Sequence, residues 1–170
     1  MKKTTRIDEL IAKLIEKNKN PPNDRNSIEL TELDLDEIGT HGRTPLMAAA
    51  FEGALWAVQT LVEAGASPGK AGFANLTPLH EAASVDQVEV ARYLLSVGAN
   101  INAITVDGVT PLMCAAAGGS LNCVKLLLDK NADIDIRDRT GLTASDIASE
   151  KGEDLAASLI DSSPQKASND

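Results

Sequence analysis

Asp133 and Asp135 stand two residues apart, a spacing at which paired carboxylates can ligate a hard divalent cation. His41 and His80 are the chain's two imidazoles, each able to serve as a general base or a metal ligand near neutral pH. Cys114 and Cys123 could pair, bind a soft metal or supply a thiolate. None of these groups completes a site. The sequence has no Gly-rich phosphate loop, no metal-spaced Cys/His set and no nucleophile elbow. We therefore expect no enzyme activity, no cofactor and no metal. The alternative is a metal-dependent protein or enzyme using Asp133 and Asp135. Asn100 and Asn102 precede those aspartates by 33 residues, which reads both pairs as turn-forming positions. Two cysteines are too few for a disulfide framework and fit a reducing compartment, with both as small core residues.

The 33-residue interval runs along the chain. Thr-Pro-Leu begins at Thr44, Thr77 and Thr110, and Thr143 follows one period later without the Pro-Leu. Ala49-Ala50, Ala82-Ala83 and Ala115-Ala116 share a phase, as do Leu61-Val62, Leu94-Leu95 and Leu127-Leu128. Agreement over many columns without an insertion marks a repeat array. Each threonine suits a helix N-cap and each proline the first helical position. Paired alanines let two antiparallel helices approach closely. A second helix in each unit carries an apolar stripe, such as Leu121, Val124, Leu127 and Leu128. Gly53, Gly119 and Gly152 end the first helices, with Asp86 in their column; Gly65 and Gly98 follow the second helices, with Asn131 in theirs. Gly42, Gly108 and Gly141 mark the next turn, where Asn75 stands in the second unit.

Thr77-Pro78-Leu79-His80-Glu81-Ala82-Ala83 at this period resembles the ankyrin-repeat signature, and the likeness covers roughly residues 33 to 160. The resemblance implies an all-α solenoid of helix-loop-helix units with projecting hairpin-like loops. It assigns His80 to hydrogen bonds between adjacent loops. Met47 and Met113 stand where the family usually has His, which removes one local network. The units read as a capping helix with a divergent half-repeat over 1–38, repeats over 39–71, 72–104 and 105–137, a capping repeat over 138–161, and a disordered tail over 162–170. Ile7, Leu10, Ile11, Leu14 and Ile15 place a helix over 5–18 that stops before Pro21-Pro22, with a loop from Pro21 to Ser27. Leu33 to Asp36 falls in phase with Ala132 to Asp135. Ser145, Ser149 and Asp161 replace apolar residues in the last unit, as a solenoid end requires.

The family uses its loop tips and the exposed side of its first helices as a concave face that binds another protein. The columns on that face hold Arg43, Phe51, Glu52, Phe73, Leu76, Val85, Val106, Val109, Arg139 and Leu142, which we take as the partner-binding set. Ile104 joins the apolar stripe but is the member most expected to tuck under a neighbouring loop. His41, Arg137 and Lys151 lie among the polar residues around it. Trp56 shares its column with Glu89 and Asn122, which places it on the outer surface, packed on the N-terminal cap or marking a second contact.

Composition sharpens this. Only 2% of residues are aromatic, so the core is built from Ala, Leu, Val and Ile. Phe51 and Phe73 both fall in surface columns, where a binding site would use them. The net charge of -9 opposes binding to nucleic acid or an anionic membrane surface. No apolar run approaches the roughly 18 residues of a membrane span, and no secretory signal is read at the start. We expect a monomeric cytoplasmic adaptor or inhibitor of a protein partner. The alternative of the same binding type is a bacterial effector delivered into a host cell.

Overall fold

The structure is a computed structural model. It describes residues 6–19, 34–39 and 41–164, with side chains in the first helix described over 9–17. The expected loop from Pro21 to Ser27, Leu33 and residues 165–170 lie outside the described residues.

The described residues form nine α-helices and no strand. Helix α1 spans Arg6–Lys19. Four shorter pairs follow: α2 (Pro45–Phe51) with α3 (Leu55–Glu63), and α4 (Pro78–Ser84) with α5 (Val88–Ser96). Next come α6 (Pro111–Ala117) with α7 (Leu121–Asp129), and α8 (Ala144–Lys151) with α9 (Asp154–Asp161). Helices α2, α4, α6 and α8 stack in sequence as an inner layer. Helices α3, α5, α7 and α9 stack behind them, and α1 packs on α2 and α3. This is the all-α solenoid that the repeat predicts.

The first three inner helices have seven residues each, well under the roughly 12–15 at which an isolated helix becomes marginal in water. Stacking must supply what propensity cannot. Leu46, Leu79 and Leu112 are buried, as are the three alanine pairs and Leu61, Leu94 and Leu127. No Phe, Tyr or Trp side chain is fully buried among the described residues. The alanine pairs let the inner helices stack closely without such a ring.

The predicted caps form. Thr44 and Thr110 accept from the N–H of Met47 and Met113, and Thr143 from that of Asp146. Asp86 and Asn131 adopt φ of 58° and 59°, the left-handed geometry their columns demand. Asp86 does more than turn the chain. Its carboxylate accepts from the Cys123 N–H at 2.8 Å and from Asn122 Nδ2 at 2.8 Å, so it caps α7 from the neighbouring unit.

The two ends close as polar caps. Leu10 and Leu14 of α1 are buried, while Ser149 and Asp161 are exposed. Order continues past Asp161: Ser162 caps α9, Ser163 is buried, and the described chain runs to Pro164. Trp56 is half-buried and packs against the core from α3, the helix on which α1 also rests.

Candidate functional site

The loops that precede the inner helices are stitched together by main-chain hydrogen bonds. Phe73 N–H donates to the Gly42 carbonyl at 2.8 Å, Val106 N–H to Ala74 at 2.9 Å, and Arg139 N–H to Asp107 at 2.8 Å. Each loop also closes on itself, as in Thr105 N–H to the Val109 carbonyl and Asp138 N–H to the Leu142 carbonyl. Thr105 Oγ1 further braces its loop by accepting from the N–H groups of Asp107 and Val109. Asp138 Oδ1 does the same for Thr140 and Leu142, and the Thr140 hydroxyl first, with the Leu142 N–H, holds its carboxyl below the usual range.

Gly39 and Gly72 occupy the column of Thr105 and Asp138 in the first two loops, which therefore lack this brace. The second loop departs further at Gly72. A Cβ there would collide with the Gly42 carbonyl oxygen and lie 2.8 Å from Met47 Sδ. Ala74 and Asn75 both take positive φ, 57° and 62°. The positive φ of Asn75 follows from its column; that of Ala74 was not anticipated. The result is a one-turn 3₁₀ segment, Phe73–Asn75, which lifts Phe73 to 77% exposure.

A second ladder lies at the opposite ends of the loops. Asp34, Asn100 and Asp133 each accept from the N–H two residues on. Asp36 then binds the Ser67 N–H and hydroxyl, and Asn102 binds the Asp133 N–H. This is the turn chemistry expected at Asp133 and Asp135. Among the described residues no group of three or more His, Cys, Asp or Glu is placed to hold a metal.

The inner layer carries two polar ties. Thr77 N–H donates to His80 Nδ1 at 3.2 Å, and the Thr77 hydroxyl lies 2.8 Å from the same nitrogen. Nδ1 is therefore the bare acceptor, and Nε2–H donates to the Val109 carbonyl at 3.0 Å. Burial lowers the His80 pKa, against the raising effect of its bonds to the Val109 and Ala103 backbone. His80 thus joins adjacent loops, as its motif implies. In the third unit Met113 Sδ takes over the local half of this role, accepting from Thr110 N–H at 3.3 Å.

The other tie was missed in the sequence. Arg43 donates from Nε and Nη2 to the two oxygens of Glu81 at 2.7 and 3.0 Å. The Glu81 side chain is 6% exposed and that of Arg43 38%. The same guanidinium lies over the Phe51 ring, 4.5 Å from its centre. The available signal was the column of Glu81, which otherwise holds Ala48, Cys114 and Ile147. Burial pushes both thiols up to about 12, with Glu81 adding to the effect at Cys114 and Asp86 at Cys123. Both cysteines are free.

The residues expected to contact a partner divide into four groups. Phe73, Val85 and Val106 are exposed apolar residues on consecutive units, and Ile104 is 56% exposed rather than tucked under its neighbour. Leu76, Val109 and Leu142 are half-buried at the loop bases, and Val109 packs on the core. Arg43 and Phe51 are engaged with each other and with Glu81. Glu52 is exposed, and Arg139 lies 3.7 Å from Asp107 with both side chains in solvent. His41 is exposed and, with Arg43, Phe51 and Glu52, lines a groove of about 370 Å³ between α1 and α2.

A family model described as ankyrin repeats in three copies matches residues 79–170, and a single ankyrin-repeat model matches residues 41–72. No curated protein matches the chain. No described helix is long and apolar enough to cross a membrane. Two-layer stacking, threonine-capped inner helices and loops joined by their backbones agree with these matches, and the chain belongs to the ankyrin-repeat family, whose arrays are protein–protein interaction modules.

Proposed function

We propose that this chain is a non-catalytic adaptor or inhibitor that holds a protein partner against its loop tips and inner helices. The observation that carries the reading is the row of exposed apolar side chains Phe73, Ile104, Val106 and Val85. Phe73 and Val106 lie on loops that are hydrogen-bonded to one another, which supports their fixed spacing. Contiguous exposed apolar surface with a polar rim is the anatomy of an interface. Here Glu52 lies toward one end, and Arg137, Arg139 and Lys151 toward the other. Leu76, Val109 and Leu142 complete the floor. The repeat boundaries at 39, 72, 105 and 138 place each loop at the start of its own unit. Free cysteines held as thiols suit a reducing, cytoplasmic setting.

The test is affinity capture from the native host with mass spectrometry, repeated with a Phe73→Ser/Leu76→Ser variant. We expect the captured partner to be lost while circular dichroism and the melting midpoint stay close to wild type. Undiminished capture by the folded variant removes this surface from the reading.

A further inference from the structure

A ladder of side-chain acceptors joins the turns that follow the outer helices, and its last member is Asp135. Asp36 accepts from the Ser67 N–H at 3.0 Å and its hydroxyl at 2.7 Å, and Asn102 accepts from the Asp133 N–H at 3.0 Å. Gly69 leaves the rung between them empty. Each rung falls two residues past the left-handed residue of its turn, Gly65 or Asn131. Asp135 stands one period after Asn102, so its rung falls on the chain that follows α9. There the described chain passes Ser163 and ends at Pro164.

A groove of about 410 Å³ opens at the same place, between the ends of α7 and α9. Leu128 and Leu159, both packed on the core, and Pro164 are its apolar lining. Its lining charges, Lys125 and Asp129, offset one another, as do exposed Lys130 and Asp161 beside it, so no strongly charged occupant is selected. Ser163 also lines the groove. It is 7% exposed, and its hydroxyl has no hydrogen-bond partner among the described residues. Buried hydroxyls are almost always bonded, so the partner comes from elsewhere in the chain. Residues 165–170 continue directly from the groove's own lining, and all but Ala167 have polar side chains. Six residues reach about 20 Å, against about 10 Å between the axes of packed helices. We propose that residues 165–170 lie back along this groove, with a main-chain N–H of residues 165–167 bonded to Asp135 as the last rung of the ladder. Lys166 then brings a positive charge to Asp133 and Asp135. The segment takes the place that the turn of a further unit would fill, so the chain itself closes this end of the solenoid. Its composition alone reads as disorder; the ladder and the groove supply what composition lacks.

Heteronuclear NOE measurements on the backbone amides of the intact chain test it. Gln165, Lys166 and Ala167 should give values close to those of the helices. Asp135→Ala should drop them to free-chain values and lower the melting midpoint by about 2–4 °C. Asp135→Asn should keep both, because Asn102 makes the same bond one unit earlier. Asp135 is exposed, and circular dichroism checks that each variant folds. Of Gln165→Pro, Lys166→Pro and Ala167→Pro, made singly, the one that removes the donor should match Asp135→Ala, and the two changes together should cost no more than either alone. Free-chain values in the wild type overturn the proposal, as does an Asp135→Ala effect that adds in full to all three proline changes. Sedimentation should give the same mass at low and high concentration. If residues 165–167 become ordered only as copies associate, the occupant is a second copy and the proposal fails.

Discussion

Arg43 and Glu81 show what a single buried charge does in a core of small apolar residues. Glu81 has almost no access to water, so Arg43 supplies what solvent would have given it. Arg43→Ala should cost about 2 kcal/mol in urea denaturation, below the figure for a fully buried pair because Arg43 is over a third exposed. A double-mutant cycle with Glu81→Gln should recover most of that loss as coupling. His80 makes a different prediction. Its folded pKa lies below the ordinary value near 6.5, so the unfolded chain takes up a proton first as pH falls. The stability due to neutral His80 is complete above about pH 6.5 and declines below it. Urea midpoints at neutral and mildly acid pH should show this decline in the wild type and lose that part of it in His80→Gln. The thiols of Cys114 and Cys123, raised to about 12, should resist iodoacetamide in the folded protein and react once urea unfolds it.

The loops and turns differ from unit to unit for reasons visible in single columns. Asp36 and Asn102 each reach the next turn, but Gly69 stands between them in the same column and has no side chain to offer Asn100. Space is open around Gly69 and its φ is not left-handed. Gly69→Asn should therefore supply the missing rung and raise stability by about 1 kcal/mol in equilibrium unfolding. Gly72→Ala should do the reverse, because its Cβ meets the Gly42 carbonyl. The contrast shows how far the sequence could be read. Thr44, Pro78, Asp86 and Asn131 announce their roles locally, since a cap or a positive φ depends on the residue and its immediate neighbours. The pairing of Arg43 with Glu81 spans 38 residues, and the packing of Gly72 against Met47 spans 25. Such contacts arise from stacking. The period told us that units stack, but not which side chains meet. Hence the surface columns could be named, while the engagement of Arg43 and Phe51, the exposure of Ile104 and the groove beside α1 could not.

At the scale of the molecule, charge and stacking pull against each other. The last 33 residues carry three basic and seven acidic side chains, and the whole chain is at -9. The exposed pairs Glu89–Arg92, Asp107–Arg139 and Asp146–Arg137, at 3.7 to 3.9 Å, offset little of that repulsion. Raising ionic strength from about 0.01 M to about 0.15 M should therefore raise the melting midpoint, as screening relieves like-charge repulsion. The opposite trend would mean that these pairs matter more than the net charge. The loop ladder has its own consequence. Phe73, Val106 and Arg139 are held by their own N–H groups, which every residue but proline possesses. The backbone is thus indifferent to what those positions display: an aromatic, an aliphatic and a cation already occupy equivalent places. Such a protein can change what it recognises one letter at a time while its architecture stays the same. Proline is the letter that the ladder forbids.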